Sequence, residues 1–269
     1  MSGFSADWLT LREPHDLRAR NADVLAAVAV SLHPLSVAHV VDLGCGTGST
    51  LRALSPRLPA RQHWRLVDND PDLLARATAM PRAPGIDIQT VRLDLDHGIT
   101  GLLKKPVDLV CTSALLDLVS ERWLKCLVDE IVACAFPFYA ALSYDGRMTM
   151  SPRDPDDDAI IAAVNAHQRT DKGFGPALGL TAADFAIALF EARGYGATQG
   201  RSAWQIGPDA RLMQHEVLAG WAGAARELNA LPATKIESWL TRRRAAVDAG
   251  RSSMRVGHVD FFAAPIGTR

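Results

Sequence analysis

No segment of this 269-residue chain is a long apolar run. Hydrophobic residues make up 48% of it, yet none of its stretches reaches the roughly 18 uninterrupted apolar residues of a membrane-spanning helix. Charge of one sign is also missing: 29 Lys and Arg stand against 30 Asp and Glu, for a formal net charge of -1. That balance leaves no basic domain of the kind that holds duplex nucleic acid. Cysteine is sparse, and Cys45, Cys111, Cys126 and Cys134 have none of the paired spacings of a metal site, so buried reduced thiols and no metal are expected. Residues 1–10 have neither the basic flank nor the apolar stretch of a signal peptide, which gives the expectation of a cytoplasmic protein. Repeats, low-complexity tracts and a clear linker are absent as well. What remains is a chain long enough for one large α/β domain with insertions, or two small ones.

The segment Val40-Val-Asp-Leu-Gly-Cys-Gly-Thr-Gly48 carries most of the information that is present. An apolar strand ends on an acid, Asp42, and alternate glycines follow at 44, 46 and 48. A dinucleotide fingerprint needs a third glycine at 49 or 51, where Ser49 and Leu51 stand. Asp42 would also repel a pyrophosphate, whereas a ligand with an ammonium and a sulfonium suits a carboxylate beside bare backbone.

With this motif the chain resembles the class I S-adenosylmethionine-dependent methyltransferases, and its Trp8-Leu-Thr-Leu-Arg-Glu-Pro14 leader and glycine-rich loop at 169–179 resemble uncharacterised bacterial members. The resemblance covers about the first 150 residues and supplies no substrate. It implies a Rossmann-like, doubly wound, mostly parallel seven-stranded sheet with an antiparallel edge strand. The chain's own rhythm agrees: strand-like runs at 38–43, 63–67, 86–93 and 108–112, helical stretches at 49–58, 71–79 and 121–135, and a further strand at 140–148. One or two helices are expected before residue 33. After 150, helices are expected at 156–167, at 181–193 with Thr181 as cap, at 209–228 and at 233–248, with strands at 196–207 and 255–263. The family's closing hairpin is thus expected to be interrupted by a helical pair. The expected organisation is one domain, 1–269: a helical cap (1–33), a cofactor-binding core (34–150), a substrate-side insertion (151–180), and C-terminal helices and edge strands (181–269).

Asp68 closes the second strand about 20 residues on, where an acid can take both ribose hydroxyls. Asn69 follows as a further candidate, while Asp70 before Pro71 is expected as a helix cap. Gly44, Cys45, Gly46 and Gly48 would form the loop against the methionine part of the cofactor, with Asp42 beside it as a cofactor-binding carboxylate. From the resemblance, Asp94 accepts from the adenine amino group and Leu95 flanks the ring, with Asp96 the alternative to Asp94; Thr112 ends the fourth strand beside them. Asp117 is the carboxylate after that strand and is either a general base or a helix N-terminal charge. His167 is the second catalytic candidate. Tyr144, Arg147, His167, Arg169 and Lys172 are expected to recognise a small polar acceptor, with Gly173 and Gly175 letting their loop close; the competing reading is a solvated loop with local salt bridges. Arg242-Arg-Arg244 is expected on an exposed helix face, His258 and Asp260 as structural, and Trp204, Trp221 and Trp239 as packing.

The function expected is methyl transfer to a small polar metabolite, at oxygen slightly before nitrogen, with S-adenosylmethionine as cofactor. The alternatives are a non-catalytic cofactor-binding regulatory protein and an RNA or protein methyltransferase. The missing basic domain and the missing Asn-Pro-Pro-Tyr type of motif count against the last.

Overall fold

In a computed structural model, residues 4–99, 101–104 and 106–267 are described. Two helices lead: α1 (Ala6–Ala19), capped by Ser5, and α2 (Ala22–Leu32), whose cap Asn21 accepts the N–H groups of Asp23 and Val24. The alternation then runs β1 (Ala38–Leu43), α3 (Ser49–Leu54), β2 (Gln62–Asp68), α4 (Pro71–Ala79), β3 (Ile86–Arg92), β4 (Leu109–Ser113), α5 (Glu121–Ala133) and β5 (Phe138–Ser151). Asp70 caps α4 as its position before Pro71 predicts, accepting from Asp72 N and Leu73 N at 2.8 and 3.2 Å. The rest is α6 (Asp157–His167), α7 (Ala182–Glu191), β6 (Tyr195–Arg201), β7 (Trp204–Ile206), α8 (Arg211–Glu227), α9 (Ala233–Asp248) and β8 (Ser253–Pro265). Thr181 precedes α7 but does not cap it; its hydroxyl donates back to Leu178 O at 2.9 Å.

The sheet order is β3-β2-β1-β4-β5-β8-β6, with β7 also on β8. The strands from β1 to β5 are parallel, and β8 runs antiparallel between β5 and β6, one place in from the edge. The edge ribbon is β6 followed by β7, which brings the strands to eight among the described residues, and α8 and α9 do separate β7 from β8. Apolar cores cover both faces of the sheet. One packs the stripe Trp123, Leu124, Leu127, Val128 and Ile131 of α5 with α7 against the strands. The other packs α2 with Trp64, Leu66 and Tyr139.

A third core lies beyond the parallel strands. Both β5 and β8 run 13 or 14 residues, past the end of β4, and their extension with β7 carries α6, α8 and α9. α6 therefore packs with the C-terminal helices, not as a unit of its own. Trp204, Trp221 and Trp239 are buried in this cluster as packing residues. Asp260 is structural too, accepting Asn21 N at 2.9 Å and Leu142 N at 2.7 Å.

Two expectations fail. Arg243 is buried, only 2% exposed, because α9 turns it inward onto Asp157, and only Arg242 and Arg244 stay on the exposed face. All four cysteines are free, but Cys126 and Cys134 sit on the outer side of α5 and beyond its end, exposed.

Candidate functional site

The glycine loop joins β1 to α3 at the carboxyl end of the parallel strands, the position where open α/β sheets bind ligands. Gly44, Gly46 and Gly48 all take positive φ, +64°, +53° and +84°, which side chains rarely adopt. A Cβ on Gly46 would also lie 3.2 Å from Leu9 of α1, and one on Gly44 would lie 3.6 Å from Leu115 after β4. Two elements therefore close on the loop, leaving bare backbone between them. Helix α1 is anchored there by Glu13, paired to Arg52, which in turn donates to Thr47 O at 2.6 Å.

Asp68 lies against this loop. Its Oδ2 accepts Gly46 N at 2.8 Å and its Oδ1 accepts Asp70 N at 3.0 Å, while desolvation raises its pKa. Asp42 is wholly enclosed beneath the loop, and so is not a wall of the open site. Burial pushes its pKa up to about 7, Cys111 Sγ donates to Oδ1 at 3.6 Å, and Oδ2 has no partner among the described residues. Arg20, between α1 and α2, inserts behind it and donates to Tyr139 and Ser113 at 3.0 and 3.3 Å. An orphaned buried carboxylate oxygen, a glycine cradle and a second acid, Asp68, held against the cradle fit a cationic, ribose-bearing cofactor.

Other candidates are placed differently. Cys45 is buried, its thiol pKa driven up by desolvation. Thr112 is 1% exposed and spends its hydroxyl on Leu43 O at 2.8 Å, tying β4 to β1 instead of facing a ligand. Asp94 is exposed and caps a 3-10 turn through Asp96 N; Leu95 is turned into the α5 core, its carbonyl accepting Trp123 Nε1 at 2.6 Å. Asn69 is exposed, its carbonyl accepting from Arg92 at 3.3 Å.

Asp117 is 5% exposed in the 3-10 turn at Leu116–Leu118. It is not the charge that caps α5, because Ser120 is that cap. Its Oδ1 accepts Tyr144 N at 3.5 Å and its Oδ2 accepts Gln168 Nε2 at 3.3 Å. Desolvation pushes its pKa up to about 6, with Arg12 acting against the rise. The residue of the 167–172 segment that reaches Asp117 is thus Gln168. His167 is held away, its Nε2 2.7 Å from Glu227 of α8 and its Nδ1 3.1 Å from Lys172 Nζ. Burial lowers the pKa of Lys172. Tyr144 gives its hydroxyl to Asn165 at 2.6 Å, Arg147 pairs with Asp145 at 2.9 Å, and Arg169 is exposed. The loop after α6 is not free. Asp171 accepts Gly173 N and Gly175 N at 2.7 and 3.0 Å, Leu178 N bonds Val119 O at 2.9 Å, and Phe174 meets Trp123 edge-on at 5.4 Å.

Sequence reasoning passed over Gln168 and Asn165, one turn apart on or just past α6, whose spacing was the available signal. It also passed over Arg12 and Leu9 of α1, which no local pattern marks.

Residues 40–137 match the family described as "Methyltransferase domain". The chain is similar to a trans-aconitate 2-methyltransferase of Streptomyces avermitilis, 34% identical over 121 residues, which cover 44% of this chain and 41% of that protein. It is also similar to the biotin biosynthesis bifunctional protein BioCD of Bordetella avium, 37% identical over 95 residues covering 34% and 18%. The chain therefore spans well under half the length of these relatives. A cyclopropane-fatty-acyl-phospholipid synthase-like protein from Lactobacillus casei shares the fold, with a TM-score of 0.55, 15% identity and coverage of 97% and 94%. Among the described residues no helix is long and apolar enough to cross a membrane, and no cluster of His, Cys, Asp and Glu suits a metal. Glycine loop, acidic strand ends, sheet and matched segment agree on a class I S-adenosylmethionine-dependent methyltransferase domain over residues 40–137.

Proposed function

We propose that this protein methylates an oxygen of a small polar metabolite, with Asp117 as general base. The observation that supports this most is the buried Asp117 carboxylate, held by Tyr144 N–H and Gln168 and with its pKa raised to about 6. At neutral pH it is ionised yet basic enough to receive a proton from an acceptor hydroxyl in the transition state. When bound, S-adenosylmethionine supplies the electrophilic methyl group. Gly44, Gly46 and Gly48 would lie against its methionine part, Asp68 would take the ribose hydroxyls, and Asp42 would balance its positive charge from beneath. Asp94 at the end of the third strand is the adenine-side acid in this reading, with Leu93, half-buried, a better flanking residue than the enclosed Leu95. Leu9 and Leu115 would keep water from the reacting centre.

The trans-aconitate methyltransferase relative favours a small acidic acceptor over a macromolecule. In this reading 34–150 is the cofactor half, 1–33 its cap, and α6 with the C-terminal helices builds the acceptor side. A panel of hydroxy acids, carboxylic acids and amines, incubated with methyl-labelled cofactor, tests it. Label on hydroxylated acids, reduced about 100-fold or more in Asp117→Asn, is expected; label confined to amines, or label unaffected by that substitution, would overturn the reading.

A further inference from the structure

Between α6, the bulged middle of β5, the corner joining β6 to β7, and β8 lies an open pocket of 510 Å³. Arg147, Arg201 and Arg255 line it. Its two carboxylates are occupied: Asp145 by Arg147 at 2.9 Å, and Asp158 by Arg153 at 2.6 Å. Arg201 and Arg255 make no ion pair among the described residues, so the cavity keeps two uncompensated guanidinium charges. His258 also lines it, 5% exposed, gripped edge-on by Trp204 and Tyr144 with ring centroids 4.9 and 6.3 Å away. Its Nδ1 has no hydrogen-bond partner among the described residues. Burial holds its pKa down at about 3, so the ring is neutral at physiological pH and adds no charge to the wall. Two unpaired guanidiniums on the wall of one pocket are an arrangement completed by an anion.

We infer that this cavity is a carboxylate-binding subsite for the anionic end of the methyl acceptor, an assignment that rests on the methyl-transfer reading above. Guanidinium forks match the plane and spacing of a carboxylate, and the volume suits a small molecule. The cavity is also adjacent to the reacting centre. Its wall begins at Asp145, the residue after Tyr144, whose N–H Asp117 accepts. Asn165 lines it, and Gln168, which holds Asp117, lies about one helical turn, roughly 5 Å, further along α6. In this reading an acceptor seated by its carboxylate here would extend along α6 toward Gln168 and Asp117.

Calorimetry decides it, with tricarballylate as the probe at low ionic strength, in the presence of the demethylated cofactor product. Arg201→Gln combined with Arg255→Gln, both exposed positions whose change leaves the core intact, should weaken tricarballylate binding at least tenfold while binding of the cofactor product is unchanged. Equal affinity in the double variant, equal binding of the uncharged triamide of the same skeleton, or tighter binding of inorganic phosphate would overturn the assignment. If the wild-type protein fails to bind the cofactor product, the methyl-transfer reading falls by itself, and the tricarballylate titration still decides the subsite.

Discussion

Asp68 and Gly46 are joined directly: a carboxylate at the end of β2 accepts the N–H of the middle glycine in the loop after β1, at 2.8 Å. One oxygen thus fixes the loop from the neighbouring strand, and the remaining lone pairs stay available for the ribose. Asp68→Ala removes the brace and, with it, the proposed ribose acceptor. With charge-assisted hydrogen bonds each worth roughly 1.5 to 3 kcal/mol, affinity for S-adenosylmethionine should fall at least tenfold by calorimetry. Gly46→Val should lose binding by another route, through backbone strain at φ +53° and contact with Leu9. Unchanged affinity in both variants would place the cofactor elsewhere.

Asp117, the proposed general base, also bears on stability. Its pKa of about 6 in the fold lies above the roughly 3.9 of an unfolded chain. A raised carboxyl pKa means that the native state binds the proton more tightly; its contribution to stability is full below about pH 4 and is lost as pH rises to about 6. The penalty at neutral pH is on the order of 3 kcal/mol. Asp117→Asn should therefore raise the melting temperature at pH 8, with the gain shrinking toward pH 4, while turnover collapses. A lower melting temperature at pH 8 would show that the carboxylate serves the fold.

Asp171 gathers the two glycine N–H groups of the loop after α6, and Lys172 turns back onto His167 and Thr170. The segment expected as an open lid is pinned to Val119 and Trp123. Asp171→Ala should free it, seen as faster hydrogen exchange at 172–178 with little change in cofactor affinity. Lys172→Ala should leave exchange there nearly unchanged, since its partly exposed contacts contribute little.

The parallel half of the fold was legible because each strand is a short apolar run ending on a residue with a local chemical meaning, as at Asp42, Asp68 and Asp70. Those signals lie within a few residues of what they control. The acceptor side was less legible for the opposite reason. Gln168 meets Asp117 across 51 residues, and His258 meets Trp204 and Tyr144 through sheet pairing that no local pattern encodes. Thr112 and Leu95 are both turned inward, Thr112 by its bond to Leu43 O and Leu95 by the 3-10 turn that follows the third strand, and neither contact has a local sequence signal.

The run Arg242-Arg-Arg244 shows the same limit, and yields a sharp test. Its middle member is buried in a pair with Asp157, which also accepts Trp239 Nε1 at 2.9 Å and Asp154 N at 2.9 Å. Arg243 also donates to Pro152 O at 2.5 Å, locking α9 to the start of α6. Arg243→Ala leaves a buried carboxylate without its counter-charge, a change that costs about 3 to 5 kcal/mol. Arg242 spans Asp154 and Asp156 on the surface, where its loss should cost less than about 1 kcal/mol. Arg244→Ala, exposed, should stay within about 0.5 kcal/mol. Urea unfolding of the three variants should therefore rank 243 far below 242 and 244. Equal midpoints would mean that the helix presents its arginines to solvent after all, and that the inward turn of Arg243 is wrong.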